Sequence, residues 1–385
     1  MNDPRARGFC EPRFARVREA FESNLARGLD VGAACCVHHR GRVVVDLWGG
    51  LADPRTGRAW EEDTAVLVFS ATKGATAIAL GLLAERGALD FDDPVAASWP
   101  EFAANGKESV TVREVLSHRA GLPVIEGEFT LAEALAWTPV VEALAAQAPL
   151  WPPGSAHGYH VRSYGWLAGE ILRRVDGRSA GRFFAAEVAG PLGLDFWIGL
   201  PGEIEPRVAR ILPPEPPSDP RVRELLDQVM GPGTISGRAL SGPSGLFPYD
   251  ETWNRREVLA AELPSSNGVA TARALSRLYA AVIGEVEGVR LLSPERIDDM
   301  RRLRSEGPDR ILLLTTAFGT GFMLPPSLSL AAAPGSFGHP GAGGSLGYAE
   351  PESGLALGYA MNRMVVGASL DSRAQSLVEA ARASL

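Results

Sequence analysis

Phe69-Ser70-Ala71-Thr72-Lys73-Gly74 opens a long apolar run that reads as a helix over 70–86 and stops at Gly87. Residues three apart on a helix share a face, so the hydroxyl of Ser70 and the amine of Lys73 sit one turn apart on one side. The chain carries 36 arginines but only two lysines, Lys73 and Lys107. Arginine keeps its proton inside a protein, whereas burial can tune a lysine to release it. A lysine retained where arginine is the default cation therefore points to a task that needs a neutral amine. At a helix start the first amides lack intrahelical acceptors, so the Ser70 N–H is free to bind a developing oxyanion. Chance alone supplies about 0.14 Ser-x-x-Lys pairs in a chain of this composition, so the surroundings must carry the reading.

Those surroundings fit a globular protein. At 385 residues the chain suggests two domains, and 45% hydrophobic with 22% charged residues matches a sizeable core. The net charge of −8 is dispersed and no basic stripe suits nucleic acid. No run of 18 apolar residues proposes a membrane span. The start, Met1-Asn2-Asp3-Pro4-Arg5, lacks the apolar core of a signal peptide, so the expectation is a cytoplasmic protein. Cys10, Cys35 and Cys36 form no disulfide framework, and the adjacent pair reads as packed thiols in a strand.

Helical spacing covers 13–27, and two β-rich runs, 33–38 and 42–48, flank Arg40-Gly41 as a hairpin. His38 and His39 then fall on opposite faces of one strand. Helical patterns follow at 112–116, 131–146 and 164–175, the last stopping at Asp176-Gly177. The proline-rich stretch 211–220 reads as a loop. Helices return at 271–282 and 293–302, strands at 316–324, 336–339, 345–349 and 355–362, and a last helix at 372–383. Strands at both ends with helices between imply an α+β fold: an antiparallel sheet, flanked by helices and built from both termini, with an inserted, mainly helical domain. The expected division is 1–90 with 260–385 for the sheet domain and 91–259 for the helical one.

Two further stretches carry candidate chemistry. Tyr159, in His157-Gly158-Tyr159-His160-Val161-Arg162, lies on a turn-rich loop entering the next helix, where a phenol near a lysine can share its proton. Tyr164 is a rival, but its helical setting argues for packing. The glycine-rich Gly338-His339-Pro340-Gly341-Ala342-Gly343-Gly344-Ser345 ends a strand, where backbone can approach a substrate closely.

In this order, Ser70-x-x-Lys73, Tyr159 and His339-Pro340-Gly341 resemble the serine β-lactamase and penicillin-binding protein superfamily, whose pattern is Ser-x-x-Lys, Tyr-x-Asn, then Lys/His-Thr/Ser-Gly on a strand. Leu116-Ser117-His118-Arg119-Ala120-Gly121-Leu122-Pro123 and Pro191-Leu192-Gly193-Leu194 are similar to its class C-like branch, nearest to the family VIII carboxylesterases. The likeness spans about residues 10 to 380. It implies a β-lactamase/transpeptidase-like fold and an acylated nucleophile at Ser70, with Lys73 and Tyr159 as the proton-transfer pair. It further implies an oxyanion hole from the N–H groups of Ser70 and Ala342, and a substrate cleft lined by His339, Gly341 and Val161. No cofactor and no metal are implied. Val161 stands where the family carries Asn, and His339-Pro340 replaces Lys-Thr, which removes the ammonium and hydroxyl that hold a β-lactam carboxylate. Both departures favour neutral esters.

The expectation is therefore a serine carboxylesterase acting on a small-molecule ester, without nucleic acid or membrane partners. The alternatives are a β-lactamase, a D-aminoacyl peptidase or amidase, an acyltransferase on the same nucleophile, and a sensor that stays acylated. Gly343-x-Ser345-x-Gly347 also matches the nucleophile elbow of α/β-hydrolases, but that fold needs a histidine downstream. All six histidines precede Ser345. His157 and His160 lack a third ligand at zinc-like spacing.

Overall fold

The computed structural model describes residues 5–365 and 371–385; the polar start at 1–4 lies outside them. Six strands form the main path of one antiparallel sheet: β1 (Arg7–Cys10), β2 (Gly32–His39), β3 (Arg42–Asp53), β4 (Phe337–Pro340), β5 (Leu346–Glu350) and β6 (Leu355–Met361). Their spatial order is β1-β3-β2-β6-β5-β4, with the short strand Arg58–Ala59 added to β3. N-terminal and C-terminal strands meet in the middle, where Cys35 of β2 lies opposite Tyr359 of β6. Among the helices are α1 (Ala15–Ala26), α2 (Ala71–Glu85), α3 (Ser163–Asp176), α4 (Ala272–Ile283) and α5 (Ser372–Arg382).

Alternation along the strands separates two apolar cores. Ala33, Cys35 and Val37 join Phe14, Phe21, Leu377 and Val378 of the α1/α5 layer. Ala34 and Cys36 face the other way, into the cluster that holds α2 and α4. The adjacent thiols therefore point to opposite faces; both are free, and burial pushes both up from the ordinary thiol pKa. His38 reaches Ser276 of α4 at 2.7 Å, whereas the His39 ring lies 6.1 Å from Phe14 on the α1 side. Each Leu or Val fully buried in these layers contributes about 1.5–3 kcal/mol.

Side-chain size sets how closely α4 approaches the sheet. On its α4-facing side β6 carries Ala356, Gly358 and Ala360, whereas Leu355, Leu357, Tyr359 and Met361 face α1 and α5. A Cβ at Gly358 would sit 2.1 Å from the Ala272 carbonyl oxygen. This packing brings the neighbouring α2, and with it Ser70 and Lys73, against the end of β4.

Several expectations are corrected. The single helix over 131–146 is two, Leu131–Leu135 and Thr138–Ala146, broken at Trp137. Trp137 has φ +71, and Pro139 in the first turn of the second helix cannot donate to a continuous ladder. The strand over 316–324 ends at Phe318; residues 319–321 turn away as Thr320 N–H donates to Met300 and Gly321 N–H to Leu116. The proline-rich loop stops at Asp219, which caps an unexpected helix, Pro220–Met230, and a second short helix, Ile235–Ser241, follows. Strand β1 was not expected, because it is short and mostly exposed.

Gly358→Ala should lower stability by about 1–3 kcal/mol, the range for overpacking a tight interface. Thermal unfolding checks this beside Gly233→Ala, whose added Cβ meets nothing within 4 Å. Equal melting temperatures for the two variants would contradict the packing argument.

Candidate active site

The turn before α2 presents the pair. Strand Val66–Leu67 pairs with Val269–Ala270, and Phe69 then turns the chain at φ +45 into α2. Such a conformation strains a bulky residue. The buried Phe69 ring is held edge-on between Trp253 (centroids 5.1 Å apart) and Tyr249 (5.7 Å). Thr72 Oγ1 accepts from Gly268 N–H at 2.9 Å and donates to Phe69 O, which fixes the first turn of α2 to the 264–268 segment.

Lys73 is completely buried, and its Nζ has three neighbours: Val161 O at 2.7 Å, Ser265 O at 3.1 Å and Ser70 Oγ at 3.1 Å. Among the described residues it makes no ion pair. Burial first, and then the charge of Arg162, hold its pKa well below the ordinary 10.5. A neutral amine has two N–H donors and one lone pair. The two carbonyls take both donors, so the lone pair faces the Ser70 hydroxyl. That arrangement suits proton transfer from Ser70 to Lys73.

Tyr159 lies over this pair, with Lys73 Nζ 4.8 Å from its ring centroid. Burial raises its pKa, so it rests as a phenol. His339, 1% exposed, places Nε2 3.5 Å from the Tyr159 hydroxyl. Its Nδ1 lies 2.8 Å from Pro340 O and must donate there, which leaves Nε2 as an acceptor for Tyr159. Burial lowers the His339 pKa to about 3, so the ring is uncharged near neutrality. Tyr164, the rival phenol, sits on α3 with Lys73 5.7 Å from its ring centroid, and its buried hydroxyl has no partner among the described residues.

The β4–β5 turn completes the arrangement. Ser345 Oγ donates to Val68 O at 2.8 Å, and Gly341 N–H donates to Ser345 O at 2.7 Å. A Cβ on Gly341 would stand 2.1 Å from Val68 O, so only glycine lets this turn lie beside the approach to Ser70. Neither Ser70 N–H nor Ala342 N–H has an acceptor among the described residues. Ser345, the elbow candidate, spends its hydroxyl proton on Val68 and is fully buried. Val161 is buried among Tyr159 and Phe318, and it offers Lys73 its carbonyl rather than its side chain.

Three residues escaped the sequence reading. Asp309, 2% exposed, accepts from the N–H groups of Tyr159 (3.1 Å), Ile311 (2.8 Å) and Leu312 (2.9 Å) and from Thr316 Oγ1 (3.0 Å), which pins the Tyr159 loop. His118, at φ +63, accepts from His160 N–H at 3.1 Å and packs 4.8 Å from the Tyr159 ring. Arg162 is buried and donates to Leu240 O, Ser266 Oγ and Phe247 O. Asp309 and Arg162 carried no local signal, and His118 entered only as part of a similar stretch.

The fold and this site define an enzyme class, a serine hydrolase of β-lactamase fold. A family model described as Beta-lactamase matches residues 19–382, and the chain belongs to that family. It is 39% identical over 375 residues to the esterase/beta-lactamase LipL of Mycobacterium tuberculosis, covering 93% of this chain and 83% of LipL. A solved family VIII carboxylesterase shares 37% identity at a TM-score of 0.86, over 99% of this chain and all of the other. EstA from Arthrobacter nitroguajacolicus Rue61a shares 34% at a TM-score of 0.87, over 98% and 97%. A penicillin-binding protein homologue from Caulobacter crescentus shares 39% at 0.85, over 99% and 100%.

Ser345→Ala should keep ester turnover within about tenfold of the parent, because it removes one positioning hydrogen bond of about 1 kcal/mol. Steady-state kinetics on the folded variant check this. Complete loss of turnover would make Ser345 the reacting group.

Proposed function

We propose that the protein is a carboxylesterase that cleaves small or short-chain esters through an acyl-enzyme on Ser70. Ser70 Oγ attacks the ester carbonyl as its proton passes to the Lys73 lone pair. The N–H groups of Ser70 and Ala342 hold the oxyanion. The C–O bond to the alcohol breaks as Tyr159 donates its proton to the departing oxygen, and Lys73 returns the serine proton to Tyr159. Water then attacks the acyl-enzyme, the same pair runs in reverse, and the carboxylic acid leaves.

The observation that carries the ester reading is the hydrogen bonding of His339. Its single N–H is taken by Pro340 O and its other nitrogen faces Tyr159, so the ring offers a substrate carboxylate neither charge nor a donor. The guanidinium of Arg162 is likewise turned to Leu240 O, Ser266 and Phe247 O. A neutral ester suits this surface better than an anionic β-lactam. A side activity on β-lactams is the second reading, favoured by the description of LipL as both esterase and beta-lactamase.

Turnover of p-nitrophenyl butyrate beside a chromogenic cephalosporin tests the choice. Ester cleavage should dominate, and Ser70→Ala or Lys73→Ala should each lower it by at least about 10². Near-parental activity in either variant, or a preference for the cephalosporin, would overturn this assignment.

A further inference from the structure

The two carbonyls that grip Lys73 come from separate segments, 157–161 and 264–268, and a single residue joins them. Arg162 directly follows Val161, and its own carbonyl accepts a hydrogen bond from Ser265 Oγ at 3.0 Å. Its Nη1 donates to Ser266 Oγ at 3.1 Å, and the two serine oxygens lie 2.9 Å apart. The guanidinium is fixed on its other edges by Leu240 O (3.0 Å) and Phe247 O (3.2 Å). It lies over the rings of Trp253 (4.5 Å) and Tyr249 (5.0 Å). The residue is 2% exposed and, among the described residues, makes no ion pair.

A buried cation without a carboxylate is unfavourable unless the surroundings over-determine it. Here Arg162 keeps its charge, and that charge opposes protonation of Lys73. The other titratable groups facing Lys73 are Tyr159, Tyr164, His118, His160 and His339. Burial raises both tyrosines and lowers all three histidines, His160 to about 4. All five are therefore uncharged near neutrality. The Asp309 carboxylate is engaged by the Tyr159 N–H and the 311–316 loop rather than by Lys73. Among the described residues, Arg162 is thus the fixed charge that acts on Lys73.

We propose that Arg162 is a positioning residue for Lys73: it ties the two gripping carbonyls into one cage and sets a permanent positive charge beside the amine, which keeps the amine a proton acceptor. This inference rests on the assignment of Lys73 as the base for Ser70. Removing the charge makes protonation of Lys73 easier, so the acid limb of reactivity moves to higher pH.

The test is the second-order rate of Ser70 phosphonylation by a fluorophosphonate, measured against pH in the parent, Arg162→Gln and Arg162→Lys, with Ser70→Ala as control. The glutamine variant should shift the acid limb up by at least about one pH unit. On the acid limb, below both midpoints, it should then react about tenfold or more slowly than the parent, and the two rates should converge above both midpoints, since on that limb each unit is a tenfold change in the neutral fraction. The lysine variant keeps a charge and should hold the limb within about half a unit. An equal loss at every pH in folded Arg162→Gln would overturn the proposal, because loss of packing alone does not move the limb. If Arg162→Gln does not fold, Arg162→Lys decides: a retained limb upholds the role of the charge, and a full unit of displacement overturns it. Labelling that persists in Ser70→Ala would instead overturn the assignment of the nucleophile.

Discussion

A lysine nitrogen sealed between two backbone carbonyls and a serine hydroxyl, with no ion pair among the described residues, is the constraint on which the rest of this site depends. Burying an ammonium without a partner costs several kcal/mol even after relaxation, and a fully buried lysine escapes that penalty by giving up its proton. Once neutral, Lys73 has two donors for Val161 O and Ser265 O and one lone pair for Ser70. Stability and reactivity thus follow from one accounting of donors and acceptors. The environment that makes a charged Lys73 unfavourable is the one that suits it to the base role proposed for it.

Four segments must converge for that environment to exist, and the fold supplies each with a separate anchor. Phe69 is wedged among aromatic rings to turn the chain into α2, and Thr72 fastens that turn to Gly268. Asp309 collects four hydrogen bonds from the Tyr159 loop and its own loop. Ser345 holds the β4–β5 turn to Val68. The small residues on the α4 side of the sheet let the layers close far enough for these anchors to meet. In the proposed reading, substrate preference turns on His339, an uncharged ring whose one N–H is already taken by Pro340 O.

How much of this could be read from the chain depends on distance along it. Ser70 and Lys73 were legible because helical spacing alone puts them on one face, and the sheet was legible because β2, β5 and β6 are short, mostly apolar runs bounded by turn residues. Helical spacing concealed the break at Trp137, where Pro139 interrupts an otherwise helical pattern. The helix at 220–230 was hidden by the prolines before it, although Asp219 and Pro220 are a good start signal. Asp309 and Arg162 were out of reach for another reason. Their roles lie in contacts 150 and 104 residues away in sequence, and an arginine among 36 draws no notice.

The central claim is covalent chemistry at Ser70 with Lys73 as its base, and trapping the acyl-enzyme tests it most directly. The protein should be quenched in acid during turnover of p-nitrophenyl butyrate, digested, and the butyryl group located by peptide mass spectrometry. The account predicts the adduct on the peptide carrying Ser70 and its absence in Lys73→Ala quenched at the same time. An adduct on Ser345, or turnover that proceeds with no adduct on Ser70 under conditions where deacylation limits the rate, would contradict it.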